Sequence, residues 1–337
     1  MQSVPKEMLA GARPTRLLAL ALGDWAAIAL LWLASARLPA EASAWAYPFV
    51  VLLIAGRFHA LGVVLHDAAH LPRGWKTPAL RALEFLAGYP IGTTIDAMRY
   101  HHLRHHRDLG RSADPYLKAW VGGSRLRFWV MSLRYLLLVP LWILRALYGA
   151  AAANIPPLRE SYARLFLQDR SGDNLATSAE VIACAREDRW QALFFAGVAA
   201  LAAFQWRWLA LYYFVPLVVA GYLAGYRLLV EHRQEHAAGG DAVRAIVDLT
   251  RNHDLGFAGE LLLAPHNVGY HLVHHLHPQA GLEQLPALQR WYEERGILTG
   301  EAGERESGAQ GRLTSAATAR ETGFAAGVES NRSISRV

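Results

Sequence analysis

Four long apolar stretches constrain the fold of this chain more than any other feature of its sequence. They cover about residues 17–35, 47–65, 191–205 and 208–230. A hydrocarbon core of about 30 Å is crossed by roughly 20 apolar residues in an α-helix, and a helix satisfies its own backbone hydrogen bonds in lipid. The sequence therefore predicts an all-α integral membrane protein with four transmembrane helices.

The four stretches form two pairs, and each pair is joined by a short link. We therefore expect two hairpins that each return to their starting side. Arg37 and Arg207 are the only basic residues in the links, whereas the long segments outside the pairs are rich in arginine. Because basic residues favour the cytoplasmic side, both termini and a histidine-rich cap are predicted to be cytoplasmic. For a bacterial chain, this places the protein in the inner (plasma) membrane.

A fifth apolar stretch, residues 128–150, is predicted to lie in the membrane interface or to re-enter it. It carries Arg134 and Arg145, which are costly at mid-bilayer, and one extra crossing would separate His271 from His66. Residues 79–95 are expected to behave similarly. We divide the chain into a cytoplasmic segment (1–16), a membrane domain (17–298) and a tail (299–337). The tail is predicted to be disordered because it lacks apolar periodicity.

The composition excludes several classes of protein. Charged residues make up only 18% of the chain, against about 25% in ordinary soluble domains. The net charge of +6 fits basic cytoplasmic edges, and no basic stripe interleaved with aromatic residues indicates nucleic-acid binding. The one cysteine, Cys184, forms no internal disulfide and no CxxC pair. Any bound metal ion therefore takes its ligands from histidine, aspartate or glutamate.

Most of the 15 histidines fall into three clusters that are separated by long segments. Within each cluster the histidines are three or four residues apart, so on a helix they share one face. Eight convergent imidazoles exceed the four ligands of a usual zinc site and suit two first-row metal ions, although imidazole alone does not choose the metal. The clusters are His66 with His70, then His102, His105 and His106, and finally His271, His274 and His275.

The clusters and their neighbours resemble the histidine boxes of the membrane fatty acid desaturase family, whose relatives include alkane hydroxylases and carotenoid ketolases. The first box ends the second apolar stretch. The other two boxes are flanked by Arg99-Tyr100, Asp114-Pro115, residues 264–270 and Leu276-His277-Pro278. The resemblance covers about residues 17–288. It implies a non-haem di-iron centre on the box histidines, O2 as co-substrate, and electrons from a separate ferredoxin or cytochrome b5-type donor.

The resemblance also implies one further histidine ligand after the fourth stretch. His232 and His236 are the candidates, and the Arg227…Glu231-His232 arrangement favours His232. His266 is a weaker candidate because it precedes His271 by five residues, which is poor helical spacing. Four more residues are candidates to bind the metal or to orient its ligands: Asp67, Asp114, Glu231 and Asn267.

We expect a desaturase that removes two hydrogens from a fatty acyl chain or lipid to form a C=C bond. Three alternatives stay open: a hydroxylase or ketolase on the same scaffold, a desaturase of a small specialised metabolite, and a membrane zinc hydrolase or non-catalytic metal-binding protein. No fused cytochrome b5 domain is recognised, so the electrons have to come from a separate carrier. A basic cytoplasmic face would attract an acidic carrier.

Overall fold

The computed structural model describes residues 3–298 apart from Arg73, Trp75, Gly172 and Asp254. These residues form α-helices and no β-strand, which confirms the all-α prediction. The tail predicted to be disordered, 299–337, lies outside the described residues. The helices are α1 (Pro14–Ser35), α2 (Ala40–Ala68), α3 (Pro78–Leu83), α4 (Ile95–Asp108), α5 (Arg125–Arg134), α6 (Leu138–Asn154), α7 (Leu158–Phe166), α8 (Ala179–Leu209), α9 (Val215–Glu231), α10 (Ala242–Leu249), α11 (Gly256–Leu262), α12 (His271–Leu276) and α13 (Leu285–Glu293).

Four stretches of the described chain are long and apolar enough to cross a membrane, which fits an integral membrane protein. They are Pro14–Ser35, Glu41–Ala68, Arg125–Asn154 and Ala179–Glu231. Two helices begin earlier than the apolar pattern indicates, because α2 starts at Ala40 and α8 at Ala179. An apolar window marks only the part of a helix that suits lipid, so the polar ends of both helices fall outside it.

The third and fourth predicted spans belong to one helical run rather than to two helices joined by a loop. In place of the predicted link at residues 205–208, the run has a kink at Gln205 (φ −132°, ψ 32°) and a π-helical turn at Ala210–Phe214. At 1.5 Å per residue, a straight helix of this length would extend about 80 Å. That is far more than the core of about 30 Å, so the run has to cross and return.

Contacts at both ends show that α8 and α9 run in opposite directions. Near the start of α8, Glu187 pairs with Arg81 of α3, which follows the end of α2 (2.7 Å). Just beyond the kink, the carbonyl of Leu211 accepts a hydrogen bond from Tyr47, near the start of α2 (3.0 Å). After α9, Nε2 of His232 lies 2.9 Å from that of His105 on α4, and α4 contacts the end of α2 through Arg99. The run thus returns to the end at which α8 begins, and the predicted reversal of direction is present. The two helices have different neighbours, because α8 packs on α6 and α9 packs on α2.

The stretch Arg125–Asn154 begins and ends at the same end of the bundle. Just before it, the backbone N–H of Lys118 donates to Gln234, which follows α9 (2.9 Å). Just after it, Tyr162 of α7 donates to Asp188, near the start of α8 (2.7 Å). A segment that returns to its starting end does not make a complete crossing, which agrees with the interfacial or re-entrant position expected from the sequence. Arg125–Asn154 is counted among the stretches able to cross a membrane by its length and composition alone.

Arg57, a charged residue inside the second apolar stretch, has the internal partner that its position requires. Its Nη1 lies 3.0 Å from Oδ1 of Asp24 on α1. The other oxygen of Asp24 lies 2.9 Å from Nε2 of His266. Both Asp24 and His266 are largely removed from solvent. This polar contact therefore ties α1 and α2 to the segment that leads into α12.

Candidate metal centre

All nine histidines that the sequence predicts as ligands lie in one cluster. They come from four elements: the end of α2, helix α4, the residue after α9, and helix α12. Seven of the nine are buried, and His70 and His106 are half-buried. The cluster comprises His66, His70, His102, His105, His106, His232, His271, His274 and His275. Segments separated by more than 200 positions in the sequence thus meet at one place.

The ring nitrogens divide this cluster into two adjoining sets. In each set, one nitrogen from every member lies within 4.8 Å of the others. His106 adjoins set A, since its Nε2 lies 3.0 Å from that of His102. His271 adjoins set B, since its Nε2 lies 3.0 Å from that of His232. Set A is His66, His70, His102 and His274, and set B is His105, His232 and His275.

The spacing of the nitrogens suits metal coordination. In set A, Nε2 of His70 lies 2.8 Å from Nε2 of His102. In set B, Nε2 of His232 lies 2.9 Å from that of His105 and 3.3 Å from that of His275. Two nitrogens bound to one ion at about 2.1 Å are roughly 3.0 to 3.4 Å apart at right-angle or tetrahedral geometry. The observed separations are close to these values.

Set B also contains a pair of lone pairs that face each other. A neutral imidazole has one N–H and one lone pair. The carbonyl of Leu228 lies 3.0 Å from Nδ1 of His232, and the carboxylate of Asp114 lies 2.9 Å from Nδ1 of His105. Both partners accept, so both Nδ1 atoms carry the proton. With neutral rings, the two Nε2 atoms then face each other without a hydrogen at 2.9 Å, an arrangement that a cation would stabilise.

The burial of His274 is a second indication of metal binding. Its side chain is completely buried, and neither of its ring nitrogens has a hydrogen-bond partner. A buried polar group without a partner costs about 1–3 kcal/mol. Its ring centroid lies 4.7 Å from that of His66 and 4.8 Å from that of His70. Its unpaired nitrogens therefore lie among the other potential ligands of set A.

Burial favours the neutral form of several of these imidazoles. It lowers the pKa of His70 to about 3, with a smaller contribution from the positive charge of Arg99. It also lowers the pKa of His232 to about 3, with a smaller contribution from His105. For His102 and His274, burial lowers the pKa well below its ordinary value. Neutral imidazole is the form of histidine that binds metal ions, so the cluster is ready for coordination at neutral pH.

Residues 42–299 match the family model described as fatty acid desaturase. The chain belongs to the fatty acid desaturase family. No curated protein matches the sequence. Membership indicates an oxidoreductase of the fatty acid desaturase type with a lipid substrate and a membrane setting, and it implies a di-iron centre. The two histidine sets of this desaturase-family chain are groups of nitrogen ligands that could hold such a centre.

Capping and backbone contacts fix the helix of this desaturase that carries the second box. Thr94 caps α4 by accepting a hydrogen bond from the N–H of Ala97 (3.1 Å). The carboxylate of Glu84 accepts from the N–H of Ile95 (2.8 Å). Within the helix, the guanidinium of Arg99 donates to the carbonyl of Ala69, next to the first box (3.1 Å). Helix α4 is therefore held against the end of α2, which brings the first two boxes together.

Two of the four predicted orienting candidates contact histidines of the cluster. Asp114 accepts from Nδ1 of His105 (2.9 Å). Burial alone would raise the pKa of its carboxyl, but the neighbouring imidazole of His105 and the hydrogen bonds that Asp114 accepts outweigh burial and lower it. An oxygen of Glu231 lies 3.5 Å from Nδ1 of His271. Both carboxylates therefore lie on the ring side opposite to the convergent Nε2 atoms, and the hydrogen bond from His105 to Asp114 fixes the tautomer of His105.

The structure does not place the other candidates in the cluster. Asp67 faces the N–H of Leu282 (3.5 Å) and Asn267 donates to the carbonyl of Leu282 (3.3 Å), so both hold the segment after α12. His266 has a left-handed backbone (φ 57°) that turns it towards Asp24. His236 is exposed. Helix α9 ends at Glu231, so His232 and His236 do not lie one helical turn apart on a shared helix face.

Two polar residues near the cluster were missed at the level of sequence. The ring of Tyr116 packs on that of His105, with centroids 4.5 Å apart, and its hydroxyl lies 2.6 Å from Nδ1 of His101. The side-chain oxygen of Asn252 accepts from the N–H of Leu272, in the first turn of α12 (2.8 Å). Tyr116 follows Asp114-Pro115, so its closeness to the second box was an available signal. Asn252 lies twenty positions before Leu272 in a segment without a pattern.

We predict that Asp114→Asn lowers turnover and iron affinity by about 10- to 100-fold, which is the usual cost of removing a carboxylate behind a metal-bound imidazole. The amide no longer holds the proton on Nδ1 of His105, and it leaves the shape of the site unchanged. Iron content and turnover of the purified chain measure the effect. Asp108→Asn is the matched control, because Asp108 pairs with Arg107 instead of a histidine (2.6 Å). Equal effects of both variants would contradict an orienting role.

Proposed function

We propose that this chain is a di-iron desaturase that uses O2 and two external electrons to remove two hydrogens from an acyl chain. The single observation that carries the proposal is the pair of adjoining histidine sets, A and B, with convergent ring nitrogens. One ion needs about four ligands, so nine histidines suit two. The family match supports iron as the metal.

Two iron ions held by sets A and B would supply the oxidising power needed to break an unactivated C–H bond. The protein's own residues bind and orient. The four members of set A come from α2, α4 and α12, so three helices have to keep their relative positions for the set to form. Asp114 holds the proton of His105 on the outer ring nitrogen, and Glu231 lies 3.5 Å from the outer ring nitrogen of His271. Burial of the set excludes water, which would otherwise react in place of a hydrocarbon.

The apolar surroundings of the centre support an acyl substrate. His66 lies near the end of α2, which is one of the stretches apolar enough to cross a membrane. The last two turns of α2 are otherwise lined by buried apolar residues, including Leu61, Val64 and Leu65. A chain that extends from the lipid phase to the histidines would thus remain in apolar surroundings. Desaturation balances as one O2, two electrons, two protons and two substrate hydrogens, which give two molecules of water.

A basic surface next to set B supports a separate, acidic electron donor. A small cavity reaches from the surface to His105 and His232, and Arg233 is among the residues that line it. The turn that follows α4 carries Arg111, and its Gly110 accepts a hydrogen bond from Ala237, close to Arg233 (3.0 Å). Both arginines are exposed. Such a surface speeds the approach of an acidic carrier, and the effect falls as salt is raised.

A hydroxylase or ketolase on the same scaffold is the second candidate, because nothing in the ligand set distinguishes loss of a second hydrogen from transfer of oxygen. Product analysis distinguishes them. The full chain is expressed in a host of known lipid composition, and its acyl chains are compared by mass spectrometry with those from a host carrying His274→Ala. We expect new acyl chains that lack two hydrogens and that disappear with the variant. New chains that gain one oxygen, without a new double bond, would contradict desaturation.

A further inference from the structure

An apolar groove lies away from the histidine cluster, between α8 and the segment that joins α3 to α4. Its volume is about 580 Å³, which falls in the range of about 300–1,000 Å³ typical of small-molecule sites. Phe85 and Tyr89 line one side, and Trp190, Phe194 and Gly197 line the other. The ring of Phe194 contacts those of Phe85 and Tyr89 (centroids 5.9 and 6.2 Å apart), so these rings close the bottom of the groove. No histidine of sets A or B lines the groove, so its occupant is distinct from the substrate of the proposed reaction.

Arginines lie at one end of both walls. Arg81 precedes Phe85 by one helical turn, and Arg186 precedes Trp190 by one turn. Residues at this spacing lie on the same side of a helix. Arg189, one turn before Leu193, is exposed together with Arg186. The groove is therefore amphipathic along its length: it is cationic where α8 begins, and aromatic and aliphatic further along α8.

The length of the groove matches one leaflet of a bilayer. Its lining on α8 runs from Trp190 to Leu201, which is about 17 Å at 1.5 Å per residue. Half of the hydrocarbon core is about 15 Å. Arg186 and Arg189 then lie at the level of the headgroups, where basic residues attract anionic lipids. An extended acyl chain would lie in the apolar part while its phosphate contacts the guanidinium groups.

We propose that this groove binds one anionic phospholipid of the surrounding leaflet. The acyl chain lies along the open side of the groove, over the rings of Phe85, Trp190 and Phe194 and beside Gly197. The phosphate pairs with Arg186 and Arg189. Glu187 points to its own partners, Arg81 (2.7 Å) and Lys76 (3.1 Å), which also pair with Glu84 and Asp96. Arg186 and Arg189 are therefore the cations that remain for the phosphate. The bound lipid would extend the contact between α8 and the segment that leads to α4, whose histidines belong to the metal centre.

Gly197→Phe tests the acyl part of the site. A Cβ atom added at Gly197 meets no atom within 4 Å, so a side chain starts in open space there and the phenyl ring is expected to occupy the groove. Gly23→Phe is the matched control, because Gly23 is an exposed helical glycine on α1 that also has open space. The full chain in detergent is titrated with phosphatidylglycerol, and bound lipid is counted by native mass spectrometry. We expect affinity to fall at least about tenfold with Gly197→Phe, the effect of losing about two buried methylenes.

The double variant Arg186→Ala/Arg189→Ala tests the headgroup part. Affinity for phosphatidylglycerol should fall about 30-fold, or about fivefold for each cation lost near a headgroup. Affinity for phosphatidylcholine should change much less, because its net charge is zero. Thermal unfolding of every variant checks that the fold is kept. Equal phosphatidylglycerol affinity in the Gly197→Phe and Gly23→Phe variants would overturn the site, and unchanged headgroup preference in the double variant would overturn its anionic ligand.

Discussion

Replacing His274 with alanine should remove iron from set A and lower turnover by at least about 100-fold. Loss of an outer partner of a metal ligand already costs about 10- to 100-fold, and the imidazole itself contributes more. His274 is completely buried, and its ring lies within 5 Å of those of His66, His70 and His106. No other described residue of α12 points a free imidazole nitrogen into set A, so no neighbour replaces it. Iron content per chain and turnover measure the two effects.

His236→Ala is the matched control for that variant. His236 lies four residues after His232 and was a candidate ligand. Its side chain, however, is exposed and belongs to neither set. We expect the control to keep its iron and its turnover. The assignment of ligands would be wrong if His236→Ala lost iron as His274→Ala does, or if His274→Ala kept two iron ions.

Arg145→Ala should destabilise the fold by about 3–5 kcal/mol, which is the usual effect of leaving one charge of a buried ion pair without its partner. The guanidinium of Arg145 is 1% exposed and contacts the carboxylate of Asp188 (3.2 Å), the hydroxyl of Thr93 (3.2 Å) and the side-chain oxygen of Gln191 (2.8 Å). It therefore connects α6 and α8 with the residues just before α4. Thermal and denaturant unfolding of the full chain in detergent measure the loss.

Two further variants identify the cause of that loss. Arg164→Ala removes an exposed arginine whose partner Glu160 is equally exposed (41% and 40%). The free energy of unfolding should therefore change by less than about 1 kcal/mol. Asp188→Asn added to Arg145→Ala removes the unpaired charge and should restore part of the stability. A loss as small as that of Arg164→Ala, or no recovery in the double variant, would show that the buried charge does not control the stability of this region.

Much of the fold could be predicted because apolar length and charge act locally. Twenty apolar residues require a helix in lipid, and Arg57 in such a stretch requires a partner, which is Asp24. The sequence did not predict that α8 and α9 form one kinked run, since a π-helical turn at Ala210–Phe214 has no apolar signature. The sequence indicated that Arg145 is costly in the membrane, but it did not identify Asp188 as its partner. The two residues meet only through the packing of α6 on α8.

The histidines of the candidate site were found because their spacing on each helix is a local property. Their division into sets A and B could not be predicted, since it depends on how four distant elements meet. His236 was kept as a candidate ligand because the sequence does not mark the end of α9 at Glu231. His266 was misplaced because a left-handed turn directs it to Asp24, 242 positions away. Spacing thus predicts which imidazoles share a helix face, and tertiary packing decides which of them share a metal ion.

Metal analysis of the full chain tests the central claim most directly. The protein is loaded with ferrous iron without oxygen, unbound metal is removed, and iron per chain is counted with Mössbauer spectroscopy to identify its environment. Two iron ions per chain, with nitrogen-rich coordination that His274→Ala disrupts, are the predicted result. A single zinc ion, or iron that is equally bound when both His105 and His274 are replaced, would contradict a di-iron centre held by sets A and B.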